Sequence, residues 1–341
     1  IDSMIELASN VSNSSINKLG KKIIESKDNE KIIEFLENVS NISNELMDDF
    51  ARTIVATKDI DAIKNFLEAF QNIYGSTYEI LVSGLITIND VDNMISFIEK
   101  ANDCHRIIPK ATLKTLLNSI IAALKEEKTQ LNKFENIYQY VINNYSKGIQ
   151  MEIFEDLTNK VILTQKMDFI VYFAINFEGA NKDKIAKTLI AYNSYKWVYI
   201  FAKNVKNIPE DVMNRVVDFV RKTYSPEFIY LFLCNFVLSR INLLTLVFAI
   251  MKTGNIDYIG FALLNVGNKY LQGDLKMKLR MEEIKKAKTI LKDYLDKNGN
   301  CLDKDANYSF LTYPITNPCD ELEEKLLNSD DSNENPFVPI A

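Results

Sequence analysis

The chain has 341 residues, 47% of them hydrophobic and 25% charged, with 46 acidic against 40 basic side chains and a net charge of −6. That balance suits a well-packed chain and argues against a protein that coats nucleic acid by neutralising phosphate. Ten scattered glycines form no phosphate-cradling loop, and one histidine with four cysteines lacking C-x-x-C spacing excludes the common zinc and Ser-His-Asp arrangements.

The chain opens on Ile1 rather than Met, as expected of a trimmed or processed protein, and shows neither a signal peptide nor a basic amphipathic leader. From Glu30 onward a phrase recurs. Its central aliphatic is Ile32, Ile63, Met94, Ile137, Ile170, Val198, Ile229 and Ile259, at steps of 31, 31, 43, 33, 28, 31 and 30 residues. Three places later stand Phe35, Phe66, Phe97, Tyr140, Phe173, Phe201, Phe232 and Ala262. Two places before it stand Glu30, Asp61, Asp92, Glu135, Asp168, Lys196, Glu227 and Asp257. Six places after it, Asn recurs as Asn38, Asn143, Asn176, Asn204, Asn235 and Asn265.

Aliphatic and aromatic at i, i+3 lie on one helical face and predict a buried stripe. An acid in the first turn favours the positive end of the helix dipole, and Asn tolerates the left-handed conformation that often ends a helix. A second helix follows in each unit, with Leu46, Phe50 and Ile54, then Leu81 and Leu85, then Val212–Val220 behind Pro209, then Leu243–Ile250. One such hairpin cannot bury its own stripe, so neighbours must stack.

The predicted fold is all-α: a right-handed α-solenoid of about eight helix-turn-helix repeats, with a partial N-terminal unit and a C-terminal capping helix. Residues 1–272 form the solenoid, its partial first unit being 1–27. The irregular step between Met94 and Ile137 places extra residues around Ala122–Lys133, among them Lys125, Glu126, Glu127 and Lys128. Phe228–Ile250 is the most apolar stretch, but Arg240 and Asn242 interrupt it, so a hairpin inside the array is expected rather than a membrane span. Residues 273–297 form an amphipathic cap, centred on Met277–Leu295. Residues 298–341 form an acidic and mostly irregular tail, with Phe310, Leu311 and Tyr313 as its anchor.

Charge is unevenly spread. Residues 1–100 sum to −8 and the final 42 to −7, whereas 181–225 sum to +5 and 269–299 to +4. Arginine is scarce, 6 against 34 lysines, where base readout would favour it. His105 beside Cys104 has no second pair with which to hold a metal, and Cys104, Cys234, Cys301 and Cys319 suit a reducing, cytoplasmic compartment. No catalytic residues, metal or cofactor are expected, and the recurring acids read as helix starts.

One position suggests a use. Just before the central aliphatic stand Lys31, Ala62, Asn93 and Asn136, and then Phe169, Trp197, Phe228 and Tyr258. Packing between units accounts for such rings. Alternatively they form an aromatic ladder for a peptide or stacked bases, flanked by Lys196, Lys203, Lys206, Arg215, Arg221 and Lys222.

The hairpin period resembles the tetratricopeptide, pentatricopeptide and HEAT class of α-solenoids. The tetratricopeptide signature is missing, and 31 residues is short for HEAT. The runs Phe35-Leu36-Glu37-Asn38-Val39 and Phe201-Ala202-Lys203-Asn204-Val205 are similar to short-unit repeats of AT-rich bacteria and their phages. The resemblance covers about residues 1–270 and implies architecture alone. The expected function is a non-enzymatic surface for a protein or peptide partner, with no membrane. The alternative is nucleic-acid binding through 181–225, and beyond it a HEAT-like DNA glycosylase.

Overall fold

The computed structural model describes residues 13–69, 73–124, 134–255, 258–259, 262 and 319–329. Among these there are sixteen helices and no strand. In chain order they are α1 (Asn13–Ser26), α2 (Asn29–Asn38), α3 (Asn44–Thr57), α4 (Ile60–Ala69), α5 (Gly75–Ile88), α6 (Val91–Asp103), α7 (Lys110–Leu124) and α8 (Phe134–Asn144). There follow α9 (Lys147–Leu163), α10 (Met167–Asn176), α11 (Lys182–Ala191), α12 (Tyr195–Asn204), α13 (Glu210–Lys222), α14 (Pro226–Asn235), α15 (Arg240–Thr253) and α16 (Cys319–Leu327). The 273–297 cap, the Phe310–Tyr313 anchor, Asp257, Asn265, Cys301 and the charged run Lys125–Lys128 lie outside the described residues.

The chain divides into two compact units, Ile1–Asn181 and Lys182–Ala341. Within the first, α2, α4, α6, α8 and α10 pack in succession as one row, and α1, α3, α5, α7 and α9 as another. Within the second, α11, α13 and α15 form one row, and α12 meets α14 through the rings of Tyr195 and Phe228, 5.0 Å apart. The architecture is all-α, with neighbouring helices stacked in a solenoid-like manner.

All eight central aliphatics are at most 2% exposed, as are the eight residues three places later. Seven pairs fall on α2, α4, α6, α8, α10, α12 and α14, so each short even-numbered helix gives one stripe to a core shared with its neighbours. Glu30, Asp61, Asp92, Glu135, Asp168 and Glu227 lie in first turns, where the helix dipole favours them. The expected turn in the apolar stretch falls between Asn235 and Arg240, and the Ser239 hydroxyl caps α15 by accepting from the Asn242 N–H. No helix among the described residues is long and apolar enough to cross a membrane.

The asparagines end their helices differently from the sequence expectation. Asn38, Asn176 and Asn204 are the last residues of α2, α10 and α12, and each amide donates to the carbonyl four residues back, at 2.7, 2.7 and 3.0 Å. In α8 the same is done by Asn144 rather than Asn143. The following residues, Val39, Phe177 and Val205, are extended and buried. A left-handed residue would turn the chain away before that apolar side chain reached the core.

Besides Asn41 and Asn207 in the connections after α2 and α12, left-handed residues recur at the far end of the described hairpins. Five places before the central aliphatic stand Lys27, Lys58, Asn89, Gln165, Asn193, Tyr224 and Gly254, all with φ between 52° and 71°. The next residue caps the new helix. Asp28, Asp59, Asp90, Ser225 and Asn255 each accept from the N–H three places on. That bond, followed by one from Asn29, holds the Asp59 carboxyl below its ordinary range. One residue before the turn, the hydroxyls of Ser26, Thr57, Thr164, Thr223 and Thr253 donate to the carbonyl three residues back. The same hydroxyls accept from the N–H of the cap residue. These bonds offset the cost of about 1–2 kcal/mol that an L-residue incurs in this conformation.

His105, the only histidine, is also left-handed (φ 55°) and ends α6. The Arg106 N–H donates to the Ala101 carbonyl at 2.7 Å and the His105 N–H to Asn102 at 3.0 Å, a Schellman arrangement in which glycine is preferred. His105→Gly is therefore expected to raise stability by about 1 kcal/mol in denaturant unfolding.

Between α7 and α9, Glu152 accepts from Lys110 at 2.5 Å and Lys114 at 2.8 Å. These bonds lower its pKa from 4.5 to about 2. Because the folded value is depressed, the stabilisation is present above the ordinary carboxylate range and is lost as pH falls toward 2. The group is solvent-accessible, so salt weakens the effect. A low-salt NMR titration is expected to place its midpoint near 2, and Lys114→Met to move it up toward 4.5.

Candidate functional site

The ladder position lies mostly inside the protein. Phe169 is 1% exposed, Trp197 6% and Phe228 0%, while Tyr258 is half-buried. In the second unit Phe228 packs edge-on against Phe232 at 5.1 Å and meets Tyr195 and Phe219 at 5.0 and 6.4 Å. Tyr258 lies 5.7 Å from Tyr230. These rings fill the interior and offer no row of open faces. The equivalent Lys31 and Asn93 are half-buried and Asn136 exposed, so this register is the edge of the buried stripe. Bulky neighbours enclose it where its own residue is aromatic.

Five of the six candidate cations, Lys196, Lys203, Arg215, Arg221 and Lys222, are engaged with nearby oxygen atoms. Arg215 Nε stands 2.9 Å from Asp183, which also takes Lys187 at 2.6 Å. Arg221 and Lys222 share Asp218, the latter at 2.5 Å. Hydrogen bonds from these cations, Lys187 first for Asp183 and Lys222 first for Asp218, hold both carboxyls below their ordinary range. Arg215 and Lys222 line a groove of about 540 Å³ between α11 and α13, where Asp211 and Asp218 balance them. Lys206 is exposed, and its carbonyl accepts from Lys182 at 2.7 Å. In the first unit a groove of about 590 Å³ runs between α3 and α5, with Asp48, Arg52, Lys58 and Glu79 on its walls. There Gly84 allows close approach, since a Cβ would stand 2.5 Å from Val55.

Lys196, Tyr199 and Lys203 share one face of α12, and on it lies a helix from the expected irregular tail. α16 packs on α12 and α14 with Cys319, Leu322 and Leu326 buried beneath it. Glu323 pairs with Lys203, which also stands 5.8 Å from the Tyr199 ring centre. Lys196 donates to the Ser329 carbonyl at 3.0 Å and lies 5.3 Å from the centre of the Trp197 ring. Tyr199 accepts from Asn235 at 3.0 Å and is hydrogen-bonded to Glu323, and burial drives its pKa upward. Beside it Cys319 is hydrogen-bonded to Cys234 and Tyr230. The contact with Cys234 and then burial push the Cys319 thiol up, which keeps it protonated.

The cluster therefore presents apolar anchoring, charge pairing and fixed hydrogen bonds, which are the means of holding a helix. Among the described residues no three His, Cys, Asp or Glu side chains are grouped to hold a metal.

No known protein-family profile matches the chain, and no curated protein matches it. A chain described under "Computational Design of Self-Assembling Cyclic Protein Homooligomers" is similar over 96% of this chain and 90% of its own, at 13% identity and a TM-score of 0.14. Agreement that weak assigns neither ancestry nor function.

Proposed function

We propose that the chain is a non-enzymatic helical-repeat protein of the α-solenoid class, and that its stacked helices present a surface to a protein or peptide. The observation that carries this reading is the seating of α16: the chain's own surface already holds an amphipathic helix through three buried anchors and an ion pair. The pairing of the basic segment supports it too. Arg215, Arg221, Lys222 and Lys203 have carboxylate partners, so a phosphate backbone would have to displace those bonds to gain its own.

Two measurements test the reading together. A labelled oligonucleotide, single- or double-stranded, is expected to show no shift with the chain at low salt. Cross-linking capture from cells of the source organism is expected to retain a protein. An oligonucleotide shift that salt weakens, and that is lost when Lys203, Lys206, Arg221 and Lys222 become Glu, would replace this reading with nucleic-acid binding. Absence of any shift also removes a DNA glycosylase.

A further inference from the structure

We infer that the face of α12 and α14 beneath α16 is a docking seat for an acidic amphipathic helix of a partner protein, and that α16 is the chain's own competing occupant. The inference rests on the protein-binding reading above and names the place and class of its ligand.

The seat reads a pattern. Cys319, Leu322 and Leu326 enter it at i, i+3 and i+7, the spacing of anchors in helix-in-groove recognition. Glu323 supplies the charge beside that stripe and meets Lys203, while the Lys196 ammonium holds the carbonyl of Ser329 just past the helix end. A cation near a helix C-terminus is favoured by the helix dipole. The outer face of α16 is acidic, with Asp320, Glu321 and Glu324 exposed. On the corresponding register α2, α4 and α6 carry Glu37, Glu68 and Glu99, and α8 and α10 carry Ile142 and Ile175, where α12 carries Lys203, so none of these five helices offers a cation there.

α16 is a weak occupant by its own length. Nine residues make two and a half turns, and isolated helices shorter than about 12 residues are marginal in water. Its helical order therefore depends on the seat. Tethering raises its effective concentration, so a displacing partner must bring more than three anchors. A longer helix with the same apolar spacing and an acid opposite Lys203 would do so.

The test uses the full chain and a fluorescein-labelled peptide with the sequence of residues 317–329. In a variant carrying Leu322→Asp and Leu326→Asp the chain's own helix is unseated, and the peptide is expected to bind it about tenfold more tightly than it binds wild type, as for a lid closed nine-tenths of the time. Adding Lys203→Glu to that variant is expected to weaken peptide binding several-fold. Equal binding to wild type and variant, or indifference to Lys203→Glu, would overturn the seat.

Should the double variant not fold, the adjacent Cys234 and Cys319 thiols give a second arm on the unsubstituted sequence. Glutathione disulfide would take up the two electrons. One S–S bond forms between Cys234 and Cys319, the reagent's S–S bond breaks, and the two thiol protons leave with two glutathione thiols. The cross-linked chain is expected to refuse the peptide, and reduction to restore binding. Undiminished binding to the cross-linked chain would overturn the proposal. Failure in either arm concerns the seat alone, because capture of a protein on the wider surface does not depend on it.

Discussion

Phe232→Ala is expected to destabilise the protein by about 3–5 kcal/mol. Phe232 is wholly buried, with Phe236 stacked at 4.5 Å and Phe228 and Tyr199 at 5.1 and 5.7 Å. Removing the ring discards its transfer free energy and leaves a cavity whose walls are other rings, and rings held by their neighbours collapse poorly into a void. Denaturant unfolding with and without the substitution measures the effect. Ile241→Ala, at a 73% exposed position of similar hydrophobicity, is expected to change stability by less than about 0.5 kcal/mol. Similar losses from the two would mean that the recurring aromatic is not a core position.

Tyr140→Phe is expected to cost about 1–3 kcal/mol although it removes a single oxygen. Tyr140 is the one tyrosine at the place where six other units carry phenylalanine. Its hydroxyl accepts from the buried Ile108 N–H at 2.8 Å and donates to the Arg106 carbonyl at 3.0 Å, and Tyr145 donates to the Ile108 carbonyl. The two rings thereby pin the 104–109 connection that leaves α6 after the left-handed His105. Without the oxygen, the Ile108 N–H is left buried and unsatisfied, which costs more than the lost bond alone would suggest. Burial also pushes the Tyr140 pKa well above its ordinary value, so the hydroxyl keeps its proton and its donor role across the working pH range. Phe97→Tyr would not be its mirror image, since it would bring a hydroxyl into a wholly buried site. Urea midpoints for Tyr140→Phe, with the m-value unchanged, test this directly.

Much of this architecture could be read from the sequence because burial imposes a period. Ile63 and Phe66 had to recur one unit later as Met94 and Phe97 if the helices of one row share a core. The turns between hairpins were harder to read. Their left-handed residue is Lys, Asn, Gln, Tyr or Gly, types with little in common, because bonds from the flanking hydroxyl and cap hold the conformation. The flanking pattern, Thr57 and Asp59 around Lys58 and Thr223 and Ser225 around Tyr224, was present at the same period and would have located them.

The site was less legible for a different reason. The basic excess in 181–225 suggested open cations, yet Arg215 lies 32 residues after Asp183, close to one period, and the two meet between neighbouring helices. Lys100 and Glu68 do the same in the first unit, so charges one period apart were the missed signal. Phe228 is core because Tyr195 and Phe219 close over that edge, and Trp197 is likewise buried, which the position's tolerance of Lys31 and Asn136 concealed. The local signal for α16 was short: Cys319, Leu322 and Leu326 at i, i+3 and i+7, with acids in the first turn and Lys325 in the last. Its composition is that of a solvated tail, and only contact with α12 and α14, far back in the chain, supplies its apolar partners.

Native-state hydrogen exchange, read peptide by peptide, tests most directly whether paired, stacked helices underlie the whole chain. Slow exchange is expected across α4, α8 and α14, broken by faster exchange at the connections around Lys58, Gln165 and Tyr224, where left-handed residues join one hairpin to the next. Rapid exchange throughout the segments holding Ile63, Ile137 and Ile229, or protection running unbroken through those connections, would contradict it.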